Sequence, residues 1–428
     1  MTRALIIAAP SSGAGKTTVT LGLLRALRRR GVAVASAKVG PDYLDPAFHA
    51  AASGRPCRNL DPWAMRPETL LSQLDLAADG ADLLLVEGVM GLFDGAAEGG
   101  GSTADLAALL DLPVLLVQDV RGQTVSAAAV AKGFATFRDD VRIAAVLLNR
   151  VGSPRHADLI RPAFETLGLP VLGALPRAEG ITVPSRHLGL VQAGEHANLE
   201  GFLEQAADAV EAAVDLEQLM TVAQPMGRHG DGSVAIPPLG NHIAVARDIA
   251  FAFAYPHVLD GWRTAGAEVS FFSPLGDEAP AVSADAVYLP GGYPELHAGR
   301  LAGAASFRQG MRAAAGRGAV IYGECGGYMA LGSSLVDGDG IRHEMLSLLP
   351  VETSYADPRR QLGYRRITLA AKTPLGPVGA RYRGHEFHFA SEIGREPVPA
   401  FCESGVPGGT GAIVGRVFGS FLHLIDRA

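Results

Sequence analysis

One cysteine in the second half of the chain lies in a setting that suits nucleophilic catalysis. Cys325 is flanked by glycines in Gly323-Glu-Cys-Gly-Gly327, after the apolar run Ala319–Tyr322 and before a helix-like Tyr-Met-Ala-Leu. A strand that turns sharply into a helix at a nucleophile presents its reactive atom, and a helix N-terminus favours the thiolate form. A buried structural cysteine is the ordinary alternative for a free thiol. The flanking glycines favour the nucleophile.

A cysteine nucleophile needs a base and a site for the oxyanion that forms on its substrate. The backbone amides of Gly292, in Leu289-Pro-Gly-Gly-Tyr293, and of Gly326 are candidates for that oxyanion hole. The spacing along the sequence does not show which of three histidines is the base: His385, His388 or His423. The other two cysteines have no comparable context: Cys57 and Cys402.

The beginning of the chain carries a phosphate-binding pattern. The strand-like Ala4–Ala9 leads into Pro10–Thr17, which has Walker A spacing with Pro10 in place of the first glycine, and Thr17–Arg30 has helical periodicity. In this pattern backbone amides cradle phosphates, the lysine neutralises them and the hydroxyl ligates Mg²⁺. A glycine-rich turn is the structural alternative. The predicted nucleotide-binding residues are Gly13, Ala14, Gly15, Lys16, Thr17 and Thr18.

Further polar residues follow strand patterns at the same predicted sheet edge. Glu87 follows the apolar run Asp82–Val86 and is a candidate Mg²⁺ ligand, with a water-facing carboxylate as the alternative. The glycine-rich loop that carries Asp94 comes next and suits substrate contact. Asn149 ends another strand, and its amide is a candidate to read an adenine edge. The segment Lys38–Pro46 contains two acids and a tyrosine, and its composition alone indicates a turn.

Two α/β frameworks are needed to position these residues. In the first half, short apolar runs alternate with helical patterns, which predicts a mainly parallel sheet covered on both faces. A helix over 199–219 is expected to close this region. The polar, Gly- and Pro-containing stretch that follows predicts a linker, and a second α/β pattern begins at His242. The expected domains are residues 1–220 and 242–428, joined by a linker at 221–241.

Composition limits the classes of function. The 428 residues are enough for two or three domains. With 37 Lys and Arg against 44 Asp and Glu, the net charge of −7 argues against a general nucleic-acid binder. No apolar run reaches the roughly 18 residues of a membrane span. Three sparse cysteines do not form a disulfide framework, so we expect the reducing cytoplasm. The spacing of Cys and His predicts no metal other than Mg²⁺.

Taken together, these motifs resemble those of one family, the glutamine-dependent a,c-diamide synthases of corrinoid biosynthesis. Its members act on cobyrinic acid or, in the aerobic route, hydrogenobyrinic acid. The first half is similar to the dethiobiotin-synthetase branch of phosphate-loop enzymes, and the second half to class I glutamine amidotransferases of flavodoxin-like fold. The segments that match are Lys38–Pro46, Val86–Gly95, Gly323–Tyr328, Gly384–Phe389 and Gly419–Leu424.

The resemblance implies roles for residues of the second half. Cys325 matches the glutaminase nucleophile and His423 the histidine that activates it. His385 and His388 match a family signature without an assigned role. Many amidotransferases of this class have Glu two residues after the histidine, where this chain has Ile425. Asp426, a backbone carbonyl, or a dyad with no third member are the open alternatives.

For the first half, the resemblance implies nucleotide, metal and substrate sites. ATP is expected at the phosphate loop with Asn149 nearby. The implied Mg²⁺ ligands are Thr17, Glu87 and Asp42. The implied substrate-binding residues are Asp42, Tyr43, Leu44, Asp45, Glu87 and Asp94.

The implied reaction is ATP- and glutamine-dependent amidation of the a and c carboxylates of a corrinoid macrocycle, through an acyl phosphate. No nucleic-acid or membrane partner is implied, and a homodimer is compatible with the sequence. Nickel-sirohydrochlorin a,c-diamide synthase and the longer cobyric acid synthase are rival identities within the class. A partition-type phosphate-loop ATPase joined to a non-catalytic amidotransferase-like module is the rival from another class.

Overall fold

The computed structural model describes residues 1–177, 185–186, 189–190, 192–227, 230, 234–395, 398–403 and 408–428. The chain divides into two compact units. The N-terminal unit comprises Met1–Trp63 and Leu70–Asp231, and the C-terminal unit comprises Ala64–Thr69 and Gly232–Ala428. Within the described residues, no helix combines the length and the apolar character that a membrane span requires.

The N-terminal unit is built on a sheet whose strands run in the order β3-β2-β4-β1-β5-β6-β7. All neighbours in this order are parallel, and a short β10 pairs antiparallel with β1. Side chains of β4 are buried along its whole length, as expected for a parallel sheet covered on both faces. The strands are β1 Arg3–Ala8, β2 Val34–Val39, β3 Arg58–Leu60, β4 Leu83–Glu87, β5 Val114–Asp119, β6 Ile143–Val151, β7 Val171–Pro176 and β10 Gln224–Pro225, besides a separate pair of β8 Ser185–Arg186 and β9 Gly189–Leu190.

The described residues contain eight helices that connect or cover these strands. They are α1 Lys16–Arg29, α2 Asp45–Ser53, α3 Pro67–Ala78, α4 Thr103–Leu110, α5 Ser126–Thr136, α6 Pro154–Thr166, α7 Leu199–Ala213 and α8 Leu216–Val222. The single helix expected over 199–219 is therefore two. It breaks because Val214 forms a β-bridge with Gly173, and the side chain of Asp215 then caps α8 at the amide of Gln218.

The C-terminal unit has a six-stranded sheet in the order β12-β11-β13-β14-β23-β22. Its strands are parallel except β22, which pairs antiparallel with β23. They are β11 His242–Ala246, β12 Glu268–Phe272, β13 Ala286–Leu289, β14 Val320–Glu324, β22 Ala412–Val414 and β23 Val417–Ser420. The helices of this unit are α9 Pro256–Thr264, α10 Ala298–Gly303, α11 Ala305–Gly316 and α12 Gly326–Leu331, with a 3₁₀ turn at Pro294–His297.

The described residues of the C-terminal unit also form two four-stranded sheets, and their orders are β16-β15-β17-β20 and β21-β18-β19-β24. The first contains β15 Ser334–Val336, β16 Arg342–Glu344, β17 Val351–Ser354 and β20 Ser391–Arg395. The second contains β18 Gln361–Leu369, β19 Arg381–His388, β21 Phe401–Glu403 and β24 Leu422–Arg427. The second sheet carries all three candidate histidines, and its register places His385 of β19 directly opposite His423 of β24.

Candidate active sites

The phosphate loop has the backbone that its glycines allow. Gly13 and Gly15 adopt positive φ angles of 76° and 96°, and α1 begins directly afterwards at Lys16. A Cβ at Gly15 would lie 2.3 Å from the side-chain nitrogen of Asn149, so no larger residue fits without displacing that amide. Thr17 and Thr18 lie in the first turn of α1. The loop is therefore a tight strand-to-helix turn with exposed backbone amides at a helix N-terminus.

Asn149 and Arg150 hold this loop in place. The Asn149 amide donates to the Ala14 carbonyl at 2.8 Å, and its oxygen accepts from the Arg150 amide at 2.9 Å. The Arg150 guanidinium donates to the Gly13 carbonyl at 2.7 Å and to Asp119 at 2.6 Å. The prediction that Asn149 reads an adenine edge has no support in this arrangement, since both polar atoms of its amide already bind backbone of the loop or of the next residue.

Lys16 and Lys38 bring two ammonium groups to the carboxyl edge of the sheet. Lys16 donates to the carbonyls of Met90 and Ser11, and burial, together with the charge of Lys38, lowers its pKa to about 8. Lys38, at the end of β2, donates to Asp45 at 2.6 Å and to Glu87 at 2.7 Å. Burial alone would lower the pKa of Lys38, but the two carboxylates outweigh it and raise the pKa above its ordinary value. Lys38 was not predicted as a site residue.

The carboxylates at this edge form one hydrogen-bonded cluster with Thr17. Its hydroxyl lies 2.7 Å from Glu87 Oε1 and 3.3 Å from Asp45 Oδ2. The other oxygen of Glu87 is 2.6 Å from Nε2 of His49, whose Nδ1 lies 3.5 Å from the thiol of Cys57. Burial opposes ionisation of Glu87, but Lys38 and His49 outweigh it and hold its pKa below the ordinary value. Cys57, for which the sequence suggested no role, therefore contacts a histidine that binds Glu87.

Asp42 lies beside this cluster and has a different partner. Its Oδ1 accepts hydrogen bonds from the amides of Leu44 at 2.8 Å and Asp45 at 3.1 Å, at the start of α2. Burial and the neighbouring Asp45 raise the pKa of Asp42 to about 6. Asp45, rather than the predicted Mg²⁺ ligand Asp42, contacts Thr17 directly. The sequence alone does not show which of these two carboxylates, three residues apart, contacts Thr17.

The oxygen donors of Thr17, Glu87 and Asp45 suit Mg²⁺. This ion is commonly held by one or two carboxylates together with substrate phosphates and water, so a set of only two carboxylates fits. Among the described residues, no group of three or more His, Cys, Asp or Glu side chains is arranged for a metal. These three donors converge on the helix start where phosphates are expected.

The remaining predicted substrate residues border the same edge. Leu44 is buried where α2 begins, and Tyr43 beside it is half-buried. Asp94 is exposed, and its carboxylate accepts from the Gly91 amide at 2.9 Å. Next to it, the ring of Phe93 packs on Phe134 and Phe137 of the α5 region, with ring centroids 5.3 and 4.7 Å away. An exposed aromatic surface therefore adjoins the loop that carries Asp94.

In the C-terminal unit, Cys325 occupies a sharp elbow between β14 and α12. Its φ of 48° and ψ of −108° are unusual for a residue with a side chain, and its amide donates to the Ser420 carbonyl at 2.8 Å. A Cβ at Gly327 would lie 1.9 Å from the Leu289 carbonyl, so the elbow requires glycine there. Backbone strain of this kind concentrates at functional sites. The predicted strand-elbow-helix arrangement is present.

The two amides predicted for an oxyanion hole face the sulfur. The backbone N–H groups of Gly292 and Gly326 both bind Cys325 and lower its pKa. Burial, reinforced by the charge of Glu295, outweighs them, so the pKa of the thiol lies well above its ordinary value. The amides at the helix start therefore act in the expected direction, and burial outweighs them in the free site. The six-residue α12 and two amides do not offset desolvation, and the thiol needs a base.

The ring of His423 lies close to the side chain of Cys325. Gly291 lies next to both side chains. A Cβ atom on Gly291 would be 2.4 Å from Cε1 of His423 and 3.2 Å from Cβ of Cys325, so these two side chains lie around the same point. Burial, and then His385 and His388, lower the pKa of His423 well below its ordinary value. A neutral imidazole at neutral pH is the form that accepts a proton.

The other two histidines have different surroundings. Burial and Arg365 lower the pKa of His385 to about 4. The two ring nitrogens of His388 face oxygens of Glu386 and Ala390 at 2.8 and 2.7 Å, and its ring stacks on Phe421. His388 also lines the cavity beside Cys325, along with Tyr293, Glu295, Met329, Phe387 and Phe389. Its ring nitrogens are therefore poorly placed to take the proton of Cys325.

The alternatives for a third triad member have other partners. The carboxylate of buried Asp426 binds the Arg66 amide and guanidinium at 2.9 to 3.0 Å. The Ile425 carbonyl lies 2.8 Å from Nε2 of His257. Glu324, the residue before Cys325, has a carboxylate oxygen 3.8 Å from Nδ1 of His423. Sequence reasoning missed Glu324, although it stands inside the elbow motif itself.

Comparison with known proteins identifies both units. Residues 5–191 match the CobQ/CobB/MinD/ParA nucleotide binding domain, and residues 242–427 match the CobB/CobQ-like glutamine amidotransferase domain. A protein of Brucella abortus biovar 1 named hydrogenobyrinate a,c-diamide synthase is 57% identical, over 99% of this chain and 98% of its own. Proteins of the same name from Sinorhizobium and Rhodobacter capsulatus are 55% and 54% identical, over 99% of this chain and 99% and 98% of theirs.

The chain belongs to the hydrogenobyrinate a,c-diamide synthase family. Membership confirms the resemblance drawn from the motifs and the predicted fold class of a phosphate-loop domain followed by a glutamine amidotransferase domain. As a member of this synthase family, the chain is an amidating ligase that uses glutamine. The two clusters described above are the candidate sites for its two half-reactions.

Proposed function

We propose that this enzyme converts the a and c side-chain carboxylates of hydrogenobyrinic acid to amides, using ATP and glutamine, in cobalamin biosynthesis. The observation that carries the proposal is the presence of two candidate sites in a chain aligned end to end with relatives of that name. One site is a phosphate loop with a Thr-carboxylate cluster. The other is a strained Cys325 elbow beside His423.

Ammonia is released at the C-terminal unit. His423 accepts the Cys325 proton as the sulfur attacks the side-chain amide of glutamine, and the amides of Gly292 and Gly326 stabilise the oxyanion. The proton returns to the leaving ammonia, and water then hydrolyses the thioester to glutamate. Glu295 lines the small cavity beside Cys325 and offers a negative charge to the α-ammonium of glutamine.

Amide formation takes place at the N-terminal unit. A macrocycle carboxylate attacks the γ-phosphate of ATP, ADP leaves, and ammonia displaces phosphate from the acyl phosphate. The chain contributes the loop amides and Lys16, which neutralise charge and hold the phosphates in line for transfer. Mg²⁺, held by Thr17, Glu87 and Asp45, supplies further charge neutralisation when bound. Lys38 keeps the two carboxylates in place.

The macrocycle lies against the loop of Asp94 and the aromatic surface of Phe93, Phe134 and Phe137. A large apolar ring gains free energy from burying its face on aromatic side chains. Phe137 is 70% exposed, so its ring is available for this contact. Tyr43 and Leu44 border the opposite loop at the same edge of the sheet. One site serves both carboxylates in turn.

The enzyme is expected to act in the cytoplasm without a nucleic-acid or membrane partner, which the net charge of −7 and the cysteine pattern support. A homodimer stays a prediction. The ATPase with a non-catalytic module is the weaker alternative, because the elbow glycines, the strained Cys325 and the oxyanion amides are all present.

Parallel incubations with hydrogenobyrinic acid, cobyrinic acid and nickel-sirohydrochlorin, each with Mg·ATP and glutamine, test the assignment. We expect hydrogenobyrinic acid to be converted fastest to the diamide, with ADP and glutamate formed in step. The relatives that align over the full length of the chain are named hydrogenobyrinate a,c-diamide synthase. Product mass separates monoamide from diamide. Faster conversion of either other ring would contradict the substrate assignment while leaving the reaction class intact.

A further inference from the structure

Glu324 lies at the centre of the glutaminase site without an assigned role. It is the last residue of β14, directly before the nucleophile, and only 3% of its surface is exposed. Its Oε2 is 3.8 Å from Nδ1 of His423. The carboxylate therefore lies on the side of the imidazole that carries Nδ1, which is the side where triad enzymes place the residue that orients the base.

Three donors fix this carboxylate. The Tyr288 hydroxyl donates to Oε2 at 2.6 Å, and the Tyr322 hydroxyl donates to Oε1 at 2.7 Å. The Leu424 amide donates to Oε1 at 3.1 Å. Leu424 directly follows His423, so the same carboxylate that faces the imidazole also anchors the backbone beside it. A buried carboxylate with three donors costs free energy to desolvate but has a fixed position.

We propose that Glu324 is the acid that positions His423, taking the place of the Glu that many amidotransferases carry two residues after the histidine. This inference rests on the glutaminase function proposed above. With Nδ1–H of His423 directed to Glu324, Nε2 is left to accept the proton of Cys325. When the imidazolium forms, the carboxylate stabilises its charge, and the 3.8 Å separation shortens as the ion pair develops.

The role predicts how glutaminase activity depends on pH. Burial raises the pKa of Glu324 to about 7. Hydrogen bonds from Tyr288, the Leu424 amide and Tyr322 lower the pKa and offset only part of this shift. Above this value the carboxylate is ionised and attracts the Nδ1–H side of His423 across the 3.8 Å that separates them, and below it the protonated acid does not. Activity should therefore fall as pH falls through about 7. The titratable groups that face Glu324 are Tyr288, Tyr322, Cys325 and His423, and Tyr382 lies beyond Tyr322.

The test compares Glu324→Gln with Asp426→Asn, a matched acid-to-amide change at a buried residue three positions beyond His423. Glutamine hydrolysis and ammonia-dependent macrocycle amidation are measured separately on each variant. For Glu324→Gln we expect kcat for glutamine hydrolysis to fall about 10²-fold or more, with little change in KM and with ammonia-dependent amidation retained. For Asp426→Asn we expect a lower Tm and a kcat within a few-fold of wild type.

The pH profile supplies a readout that a purely structural role would not move. Tyr288→Phe removes a donor to Oε2 and should shift the acidic limb of glutaminase kcat/KM to higher pH, since that donor lowers the pKa of Glu324. The Tyr288→Phe measurement tests the proposal even if Glu324→Gln does not fold. An unchanged limb, an unchanged kcat in Glu324→Gln, or a larger loss in Asp426→Asn would overturn the proposal. Absence of glutamine hydrolysis in the wild-type enzyme would instead refute the proposed function.

Discussion

At the residue scale, Cys325 and Lys16 carry separate half-reactions, so their removal should have different effects. Cys325→Ala deletes the sulfur that attacks glutamine but leaves the phosphate loop intact. We expect glutamine-dependent synthesis to be abolished and ammonium-dependent synthesis to be retained. Lys16→Ala removes the charge that holds the phosphates, so we expect both activities to be lost, by two or more orders of magnitude. Amide formation from each nitrogen source, measured on both variants, provides the comparison.

Equal loss of both nitrogen sources in Cys325→Ala would show that the two sites are not separable. Survival of ammonium-dependent synthesis in Lys16→Ala would contradict the role of the phosphate loop. Since Lys16 is nearly buried and faces Met90, a thermal unfolding curve for each variant is the control for loss of structure.

Residues whose type is dictated by a local backbone pattern were predictable from sequence. The glycines around Lys16 and Cys325 permit positive φ angles and close approaches that few other residues allow. Roles that depend on packing between distant segments were not predictable. Asp45 rather than Asp42 meets Thr17, and Glu324 meets His423 across 99 positions of sequence, because the sheets bring these segments together.

At the element scale, the loop after β4 and the end of α5 form the aromatic surface beside Asp94. Phe137→Ser removes an exposed ring and leaves the helix, so the free energy of folding should change little. We expect KM for the macrocycle to rise about 5- to 30-fold, by the loss of about 1–2 kcal/mol of apolar contact, while kcat and KM for ATP stay near wild type. Steady-state kinetics with the macrocycle as varied substrate measure this.

A matched change at Val125, which is 62% exposed near the start of α5, serves as the control for general loss of exposed apolar area. If Phe137→Ser and Val125→Ser have the same small effect on KM for the macrocycle, the aromatic surface does not bind it.

Elements with regular local periodicity were predicted well. Apolar runs between helical patterns indicated β1, β4 and β14 with limits within about two residues. The two four-stranded sheets of the C-terminal unit were not predicted, because their strands pair across long separations and mix polar with apolar residues. The break between α7 and α8 was missed for a similar reason, since it depends on the bridge of Val214 to Gly173.

At the scale of the whole molecule, one chain carries a unit for each half-reaction. The phosphate-loop unit has the groups to activate a carboxylate, and the amidotransferase unit has the groups to release ammonia. The general organisation followed from the sequence, because each unit carries a motif specific to its chemistry. The identity of the ring did not follow from either motif, because neither contacts it.

The most direct test follows nitrogen from glutamine to the macrocycle. Wild-type enzyme is incubated with hydrogenobyrinic acid, Mg·ATP and glutamine whose side-chain amide carries heavy nitrogen, and the product is analysed by mass spectrometry. Transfer of the glutamine nitrogen to both carboxylates predicts a diamide in which both new amides carry the label, with one ADP and one glutamate formed for each. A macrocycle recovered unchanged while ATP is consumed, or amides without the label, would contradict it.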